Sequence, residues 1–262
     1  MVASREQKSV VVGWMLTMSF LDLLISQIMT SGIIGKLRRS GKLFRIGHRG
    51  AAGHTPENTL ASLKKAISLG VDLVEFDVQQ TQDGALVLFH DPTVERTTNG
   101  QGRVDSLSLR FLRTLNAGKG EKIPLLEEAL GCLNGKAGAM IELKVPGIVA
   151  EVCAVVDKVN FHGPVIYASF YHEELLQVRK LKSDALTLVL LEKSHSHPTS
   201  FALKAKATHA GLVSSLVTLP VVQAFQKKDI TVFVFTVNDH AEINRMKQMG
   251  VDGIISDYPD RI

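Results

Sequence analysis

Residues 73–90 read LVEFDVQQTQDGALVLFH, two β-branched and aromatic runs separated by a short polar stretch. Leu73–Val78 and Leu86–His90 are strand candidates on composition and alternation. Only Gln79 to Ala85 lie between them, and a parallel crossover needs a dozen or more residues, so the two must pair as an antiparallel hairpin. Asp83-Gly84 is the expected turn pair, and counting outward from it sets His90 opposite Asp77. Glu75 and Asp77 are two residues apart and so share one face of their strand.

Once that hairpin is set aside as an excursion, the remainder is regular. Further strand candidates are Phe44–Gly47, Ala139–Leu143, Val165–Ser169, Leu186–Leu191, Ala210–Val213, Thr231–Thr236 and Gly253–Ser256, which with Leu73–Val78 makes eight. Amphipathic stretches begin near Pro56, Pro124, Gly147, Tyr171, Pro198, Leu219 and Asp239. Asn58 and Thr59 open the first helix and Gly70 closes it. Eight strands alternating with helices predict an α/β fold, a TIM (β/α)8 barrel over residues 43–262, with the hairpin and residues 92–122 inserted after strand two. A doubly wound open sheet is the alternative, but it lacks its G-x-G-x-x-G fingerprint here.

The length of 262 residues suits one barrel, and 45% hydrophobic with 21% charged residues excludes disorder. Cys132 and Cys153 cannot form a disulfide framework and read as small apolar residues in helices. Residues 1–45 carry seven basic side chains against two acidic ones, and the remaining 217 sum to −1, so a nucleic-acid footprint on the barrel is not expected. Residues 1–42 form a separate segment. Val10 to Ile34 hold one charge, Asp22, and are followed by Lys36, Arg38, Arg39 and Lys42. As a membrane helix this segment would leave the barrel on the cytoplasmic side. It could also lie on the membrane surface, pack on the barrel, or precede a true start at Met29. The expectation is a cytoplasmic protein with membrane contact through residues 10–34.

A barrel carries its chemistry at the C-terminal strand ends. There the chain places His48-Arg49-Gly50, then Glu75 and Asp77, His90-Asp91 from the hairpin, Glu142 with Lys144, Asn238 and Asp257. Three converging carboxylates cannot all stay ionised without a counter-charge, and an all-oxygen set selects a hard divalent cation. Arg49 and Lys144 add fixed positive charge suited to a phosphate group, and His48 and His90 supply imidazoles that titrate near neutrality. Metal, phosphate ligands and two imidazoles together predict phosphodiester hydrolysis.

The ordered set H-R-G at 48–50, P-E-N-T at 56–59, E-x-D at 75–77, H-D at 90–91, E-x-K at 142–144 and D-G-I-I-S-D-Y-P at 252–259 resembles the glycerophosphodiester phosphodiesterase family. The likeness runs over residues 43–262. It implies a TIM barrel and one Ca²⁺ or Mg²⁺ held by Glu75, Asp77 and Glu142. It further implies His48 and His90 as the acid/base pair and Arg49 and Lys144 as phosphate ligands. The implied substrates are glycerophosphodiesters such as glycerophosphocholine, cleaved to glycerol 3-phosphate and an alcohol. In the family mechanism the 2-hydroxyl of the glycerol attacks phosphorus, and water opens the cyclic phosphate. This suits a sequence without a serine or cysteine nucleophile partnered by a base. Two places depart from the family pattern: residues 116–124 are short and lack an aromatic residue, and Phe235 stands where tryptophan is common.

Other residues carry alternatives. Asn238 is expected to reach the glycerol hydroxyls or to cap the next helix. Phe235 and Phe170 are expected to wall the substrate pocket or to fill core. Glu57 and Asn58 are expected to cap the first helix, His54 to serve its loop, Asp257 to anchor the last loop, and His195 and His197 to be exposed loop residues. A lysophospholipase D and a catalytically silent phosphate-binding module are the competing functions. The silent module requires a lost ligand or histidine, and none is lost.

Overall fold

The computed structural model describes residues 42–262. The expected segment at 1–42, with its membrane contact at 10–34, lies outside the described residues except for Lys42. Strands β1 (Phe44–Gly47), β2 (Leu73–Gln80), β4 (Gly138–Leu143), β5 (Val165–Ser169), β6 (Leu186–Leu191), β7 (His209–Val213), β8 (Thr231–Phe235) and β9 (Gly253–Ser256) pair in parallel. β1 joins β9 on one side and β2 on the other, which closes an eight-stranded barrel. Helices α1 (Leu60–Ser68), α3 (Leu126–Leu133), α4 (Val149–Val159), α5 (His172–Leu181), α6 (Thr199–Lys204), α7 (Leu219–Gln226) and α8 (His240–Gln248) lie between successive strands, and the short α2 (Leu109–Leu112) belongs to the insertion. Among the described residues, no helix is long and apolar enough to cross a membrane.

The strands obey a period of two. Leu73 and Met140 join Phe44, Ile46, Ile166, Leu188 and Phe233 in the barrel interior. Val74, Phe76 and Val78 face outward into the layer under α1, α3 and α4. Continuing the inward series above Leu73 gives Glu75 and Asp77, and above Met140 gives Glu142. The same alternation that fills the barrel below therefore aims carboxylates into its mouth.

The hairpin forms because β2 is longer than β1. Beyond the end of β1, residues Val78–Gln80 would present an open edge, and β3 (Leu86–Leu88) covers it antiparallel. The register differs by one from the expectation. Val78 faces Leu88, and the Phe89 amide donates to the Asp77 carbonyl at 3.1 Å, so Phe89 and not His90 stands opposite Asp77. The turn is the cause. Thr81 and Ala85 close it, with three residues between them and Gly84 at φ +81°. A two-residue Asp-Gly turn would have shifted the pairing.

The insertion after β3 carries its own small core of Val87, Phe89, Val94, Val104, Leu112 and Ile123. The first helix starts later than Pro56 suggests. Asn58 adopts φ +54°, and the Thr59 hydroxyl caps the helix by accepting from the Ser62 amide at 3.2 Å.

Candidate active site

β1 ends at Gly47 and registers with Ser256 at the end of β9. The next residues, His48 and Asp257, are therefore neighbours, and His48 Nδ1 lies 2.7 Å from Asp257 Oδ1. Asn238 braces that carboxylate: its Nδ2 donates to Asp257 Oδ2 at 2.6 Å, and its Oδ1 accepts from the Asp257 amide and the Ser256 hydroxyl. Asp257 sits below the usual carboxylate range: burial pushes it up, but His48 and Asn238 outweigh that.

Arg49 follows in the left-handed region at φ +48°, and Gly50 continues at +89°. A side chain at Gly50 would collide with Ser62, whose Oγ lies 2.3 Å from the position of a Cβ. This tight turn points the Arg49 amide at Glu75 Oε2, 2.8 Å away. The Arg49 guanidinium donates from NH1 to Glu57 at 2.7 Å, and its Nε makes an ion pair with Asp77 Oδ2 at 3.3 Å.

The parallel register sets Asp77 directly beside Glu142. Among the described residues, Glu75, Asp77 and Glu142 each present a carboxylate oxygen within 4.8 Å of the others. Lys144 Nζ lies 2.7 Å from Glu142 Oε1 and 3.5 Å from Asp77 Oδ1. Asn58, fully inside, donates to Asp77 Oδ2 at 2.8 Å and accepts from the Asp77 amide at 3.1 Å. Burial, the Asp77 charge and Glu142 hold Glu75 well above its ordinary pKa. Burial and Asp77 push Glu142 up to about 7. Burial also opposes ionisation of Asp77, but Lys144 and Arg49 keep it below the usual value. Three carboxylates face two fixed cations, so positive charge is in deficit. Glu75 Oε1 is buried without a hydrogen-bond partner. A buried acceptor left open inside an all-oxygen cluster fits a hard divalent cation.

His90 stands at the end of the hairpin, its Nδ1 2.5 Å from Asp91 Oδ1. The Gln79 amide donates to the carbonyls of Phe89, His90 and Asp91, which fixes this turn to β2. Burial lowers the His90 pKa, against the raising effect of Asp77 and Asp91. Asp91 is held down to about 2, chiefly by its hydrogen bonds from Arg96. A cleft of about 420 Å³ opens beside His90, lined also by Glu142, Lys144, Pro92, Arg103, Phe170 and Tyr171. Phe170 stacks edge-on against Phe235 at 6.1 Å, with Lys144 Nζ 6.0 Å from its ring.

The sequence-derived set of His48, Arg49, Glu75, Asp77, His90, Glu142 and Lys144 thus meets at one mouth. Asn238 holds Asp257, and the helix cap assigned to it as an alternative belongs to Asp239, which accepts from the Ala241 and Glu242 amides. Phe235 packs edge-on against Phe170, which lines the cleft. Asp257 does more than anchor its loop, since it orients His48. Asn58 caps nothing and holds Asp77 instead. His54 pairs with Asp260 at 2.7 Å, away from the carboxylates. His195 and His197 are exposed, with His195 against Phe201. Cys153 is buried as expected, whereas Cys132 is only half-buried. Sequence reasoning passed over Arg96, which binds both Glu57 and Asp91.

Residues 48–261 match the Glycerophosphoryl diester phosphodiesterase family. The chain is 35% identical to the glycerophosphodiester phosphodiesterase of Caldanaerobacter subterraneus subsp. tengcongensis, over 84% of this chain and 96% of that one. It is 30% identical to the glycerophosphodiester phosphodiesterase of Bacillus subtilis, over 94% of each. Among solved structures, an Oleispira antarctica phosphodiesterase in complex with the product sn-glycerol-3-phosphate superposes with a TM-score of 0.77 at 30% identity, covering 83% of this chain and 94% of that chain. The Agrobacterium tumefaciens glycerophosphodiester phosphodiesterase gives 0.74 at 30% identity, covering 84% and 98%. On fold, site and likeness together, the chain belongs to the glycerophosphoryl diester phosphodiesterase family.

Proposed function

We propose that the chain hydrolyses glycerophosphodiesters to glycerol 3-phosphate and an alcohol, with Glu75, Asp77 and Glu142 holding one divalent cation, Ca²⁺ or Mg²⁺. The observation that carries this reading is the buried, unpartnered Glu75 oxygen within a three-carboxylate cluster ringed by Arg49, Lys144 and two carboxylate-held histidines. When bound, such a cation supplies Lewis-acid polarisation of a phosphoryl oxygen and lowers the pKa of a nearby hydroxyl.

The side chains divide the remaining work. Arg49 and Lys144 place positive charge where the phosphate sits and offset charge that builds on its oxygens in the transition state. His48 and His90 each spend Nδ1 on a carboxylate, which leaves Nε2 to exchange protons with the substrate. One takes the proton of the attacking hydroxyl and the other gives one to the departing alcohol. Ser169 donates to the Leu143 carbonyl and Ser256 to Asn238. The family resemblance implies the substrate's own 2-hydroxyl as the nucleophile, through a cyclic phosphate that water opens.

A lysophospholipase D activity is the second reading, favoured by the partly exposed Phe170 and Tyr171 rims of the cleft, which could hold an acyl chain. The basic group after the apolar run places the barrel on the cytoplasmic side if that run enters a membrane. The deciding experiment is product release from glycerophosphocholine and from lysophosphatidylcholine, each with and without EDTA. Turnover of neither, after Ca²⁺ or Mg²⁺ is restored, would overturn the reading.

A further inference from the structure

Arg96 lies outside the barrel, in the insertion. Its backbone is pinned by a local turn: the Val94 amide donates to the Gly102 carbonyl at 3.0 Å, and the Thr98 amide to the Val94 carbonyl at 3.1 Å. From that platform its guanidinium grips two carboxylates at once. NH1 and NH2 donate to Glu57 Oε2 and Oε1 at 2.9 and 2.7 Å. Nε donates to Asp91 Oδ2, and NH2 also to Asp91 Oδ1 at 3.1 Å. Beyond Glu57 lies Arg49, and beyond Asp91 lies His90. One unbroken chain of hydrogen bonds thus joins a phosphate ligand to an acid/base imidazole.

We propose that Arg96 is a positioning residue that sets the His90 imidazole and the Arg49 guanidinium together, through Asp91 and Glu57, for the hydrolytic reaction assigned above. The inference rests on that reading of the site. Asp91, held ionised, accepts the Nδ1 proton of His90 and so fixes its tautomer. Glu57, also ionised, fixes the direction of the Arg49 fork. Without a shared cation, Glu57 and Asp91 would repel, and each would turn away from its partner. A lysine cannot substitute, because one ammonium cannot make these four directed contacts to two carboxylates. Stability alone does not account for the arrangement. Arg96 is 49% exposed, and exposed ion pairs contribute little to folding. The insertion also has its own apolar core.

The test is steady-state kinetics on glycerophosphocholine with saturating Mg²⁺ or Ca²⁺, for wild type, Arg96→Met, Arg96→Lys, Asp91→Asn, Glu57→Gln and the double variant Arg96→Met/Asp91→Asn. Asp91→Asn should lower kcat with little change in KM, and Glu57→Gln should raise KM with a smaller change in kcat. Arg96→Met should do both, with kcat down by about 10²-fold, the scale of a small misplacement at a reacting centre. The double variant should be no slower than Arg96→Met, since the two residues act in series. Arg96→Lys should recover one parameter and not both. Near-wild-type constants for Arg96→Met or Arg96→Lys, or losses that multiply in the double variant, would overturn the proposal. If Arg96→Met does not fold, the Arg96→Lys result and the split between Asp91→Asn and Glu57→Gln decide the matter. An inactive wild type would instead defeat the hydrolytic reading and the proposal with it.

Discussion

The two histidines of the mouth are held in opposite ways. His48 takes its carboxylate from Asp257, 209 residues away, and the contact exists only because the first and last strands close the barrel. Its support, Asn238, comes from the end of another strand. His90 takes its carboxylate from the very next residue, on a hairpin that leaves the barrel, and its support is Arg96 in a loop. One arm is built into the sheet, so its geometry is set by folding itself. The other is assembled from partly buried local residues and an exposed arginine. The first arm should resist changes of salt and loop sequence. The second should be adjustable without harm to the barrel.

The sharpest way to break the comparison is to remove what both arms share. Glu142→Gln or Asp77→Asn should abolish metal-dependent turnover while the barrel still folds, as read by product assay after chelation and metal re-addition. Normal turnover by Glu142→Gln would remove that residue from the ligand set. Next in size, His48→Ala and His90→Ala should each lower kcat by about 10²-fold or more, as lost proton-transfer groups do. A glycerol phosphodiester with a 4-nitrophenol leaving group should restore only one of the two, the one whose histidine protonates the departing alcohol. Equal restoration of both would mean that the arms do not divide the acid and base roles.

The same contrast explains what could be read from the sequence. Strands were legible because interior filling imposes a period of two, and an acidic residue in that register, such as Glu75 after Leu73, is conspicuous. Glu142 beside Asp77 follows directly from pairing parallel neighbours. Asp257 was legible in principle: in a closed barrel the residue after β9 sits beside the residue after β1. Taken strand by strand, without that closure, the sequence yields only a loop anchor there. Arg96 and Asn58 had no such signal. They perform no chemistry, and their loops have no periodicity to place them. The hairpin register slipped because a three-residue turn and a two-residue turn share the same Asp-Gly pair, and only the backbone distinguishes them.

The arms should also part in stability. Asn238→Ala removes three hydrogen bonds at a half-buried strand end and leaves Asp257 partly unsatisfied. It should cost about 1–3 kcal/mol. The urea midpoint should fall with an unchanged slope. Arg96→Met, at its exposed site, should shift that midpoint much less. A comparable shift in both would erase the distinction between a built-in and an added support.

A last contrast separates the mouth from the hairpin by the sign of its pH dependence. Asp91 is depressed to about 2 in the folded chain, against about 3.9 for a free aspartate. Its contribution is present above pH 4 and is lost as pH falls from about 4 towards 2, because the unfolded chain binds the proton first. Glu142 behaves in reverse. With a folded value of about 7 and an unfolded value near 4.3, it keeps its proton in the folded chain where the unfolded chain has released it. Its contribution is full below about pH 4 and drains away as pH rises through about 7. Urea titrations of the protein in EDTA should therefore show Asp91→Asn flattening the acid limb and Glu142→Gln flattening the decline between pH 4 and 7. Added Mg²⁺ or Ca²⁺ should abolish the second trend and leave the first, since a bound cation replaces the protons of the carboxylate cluster but does not touch Asp91. A decline that persists unchanged with the metal present would mean that the cluster does not take the ion.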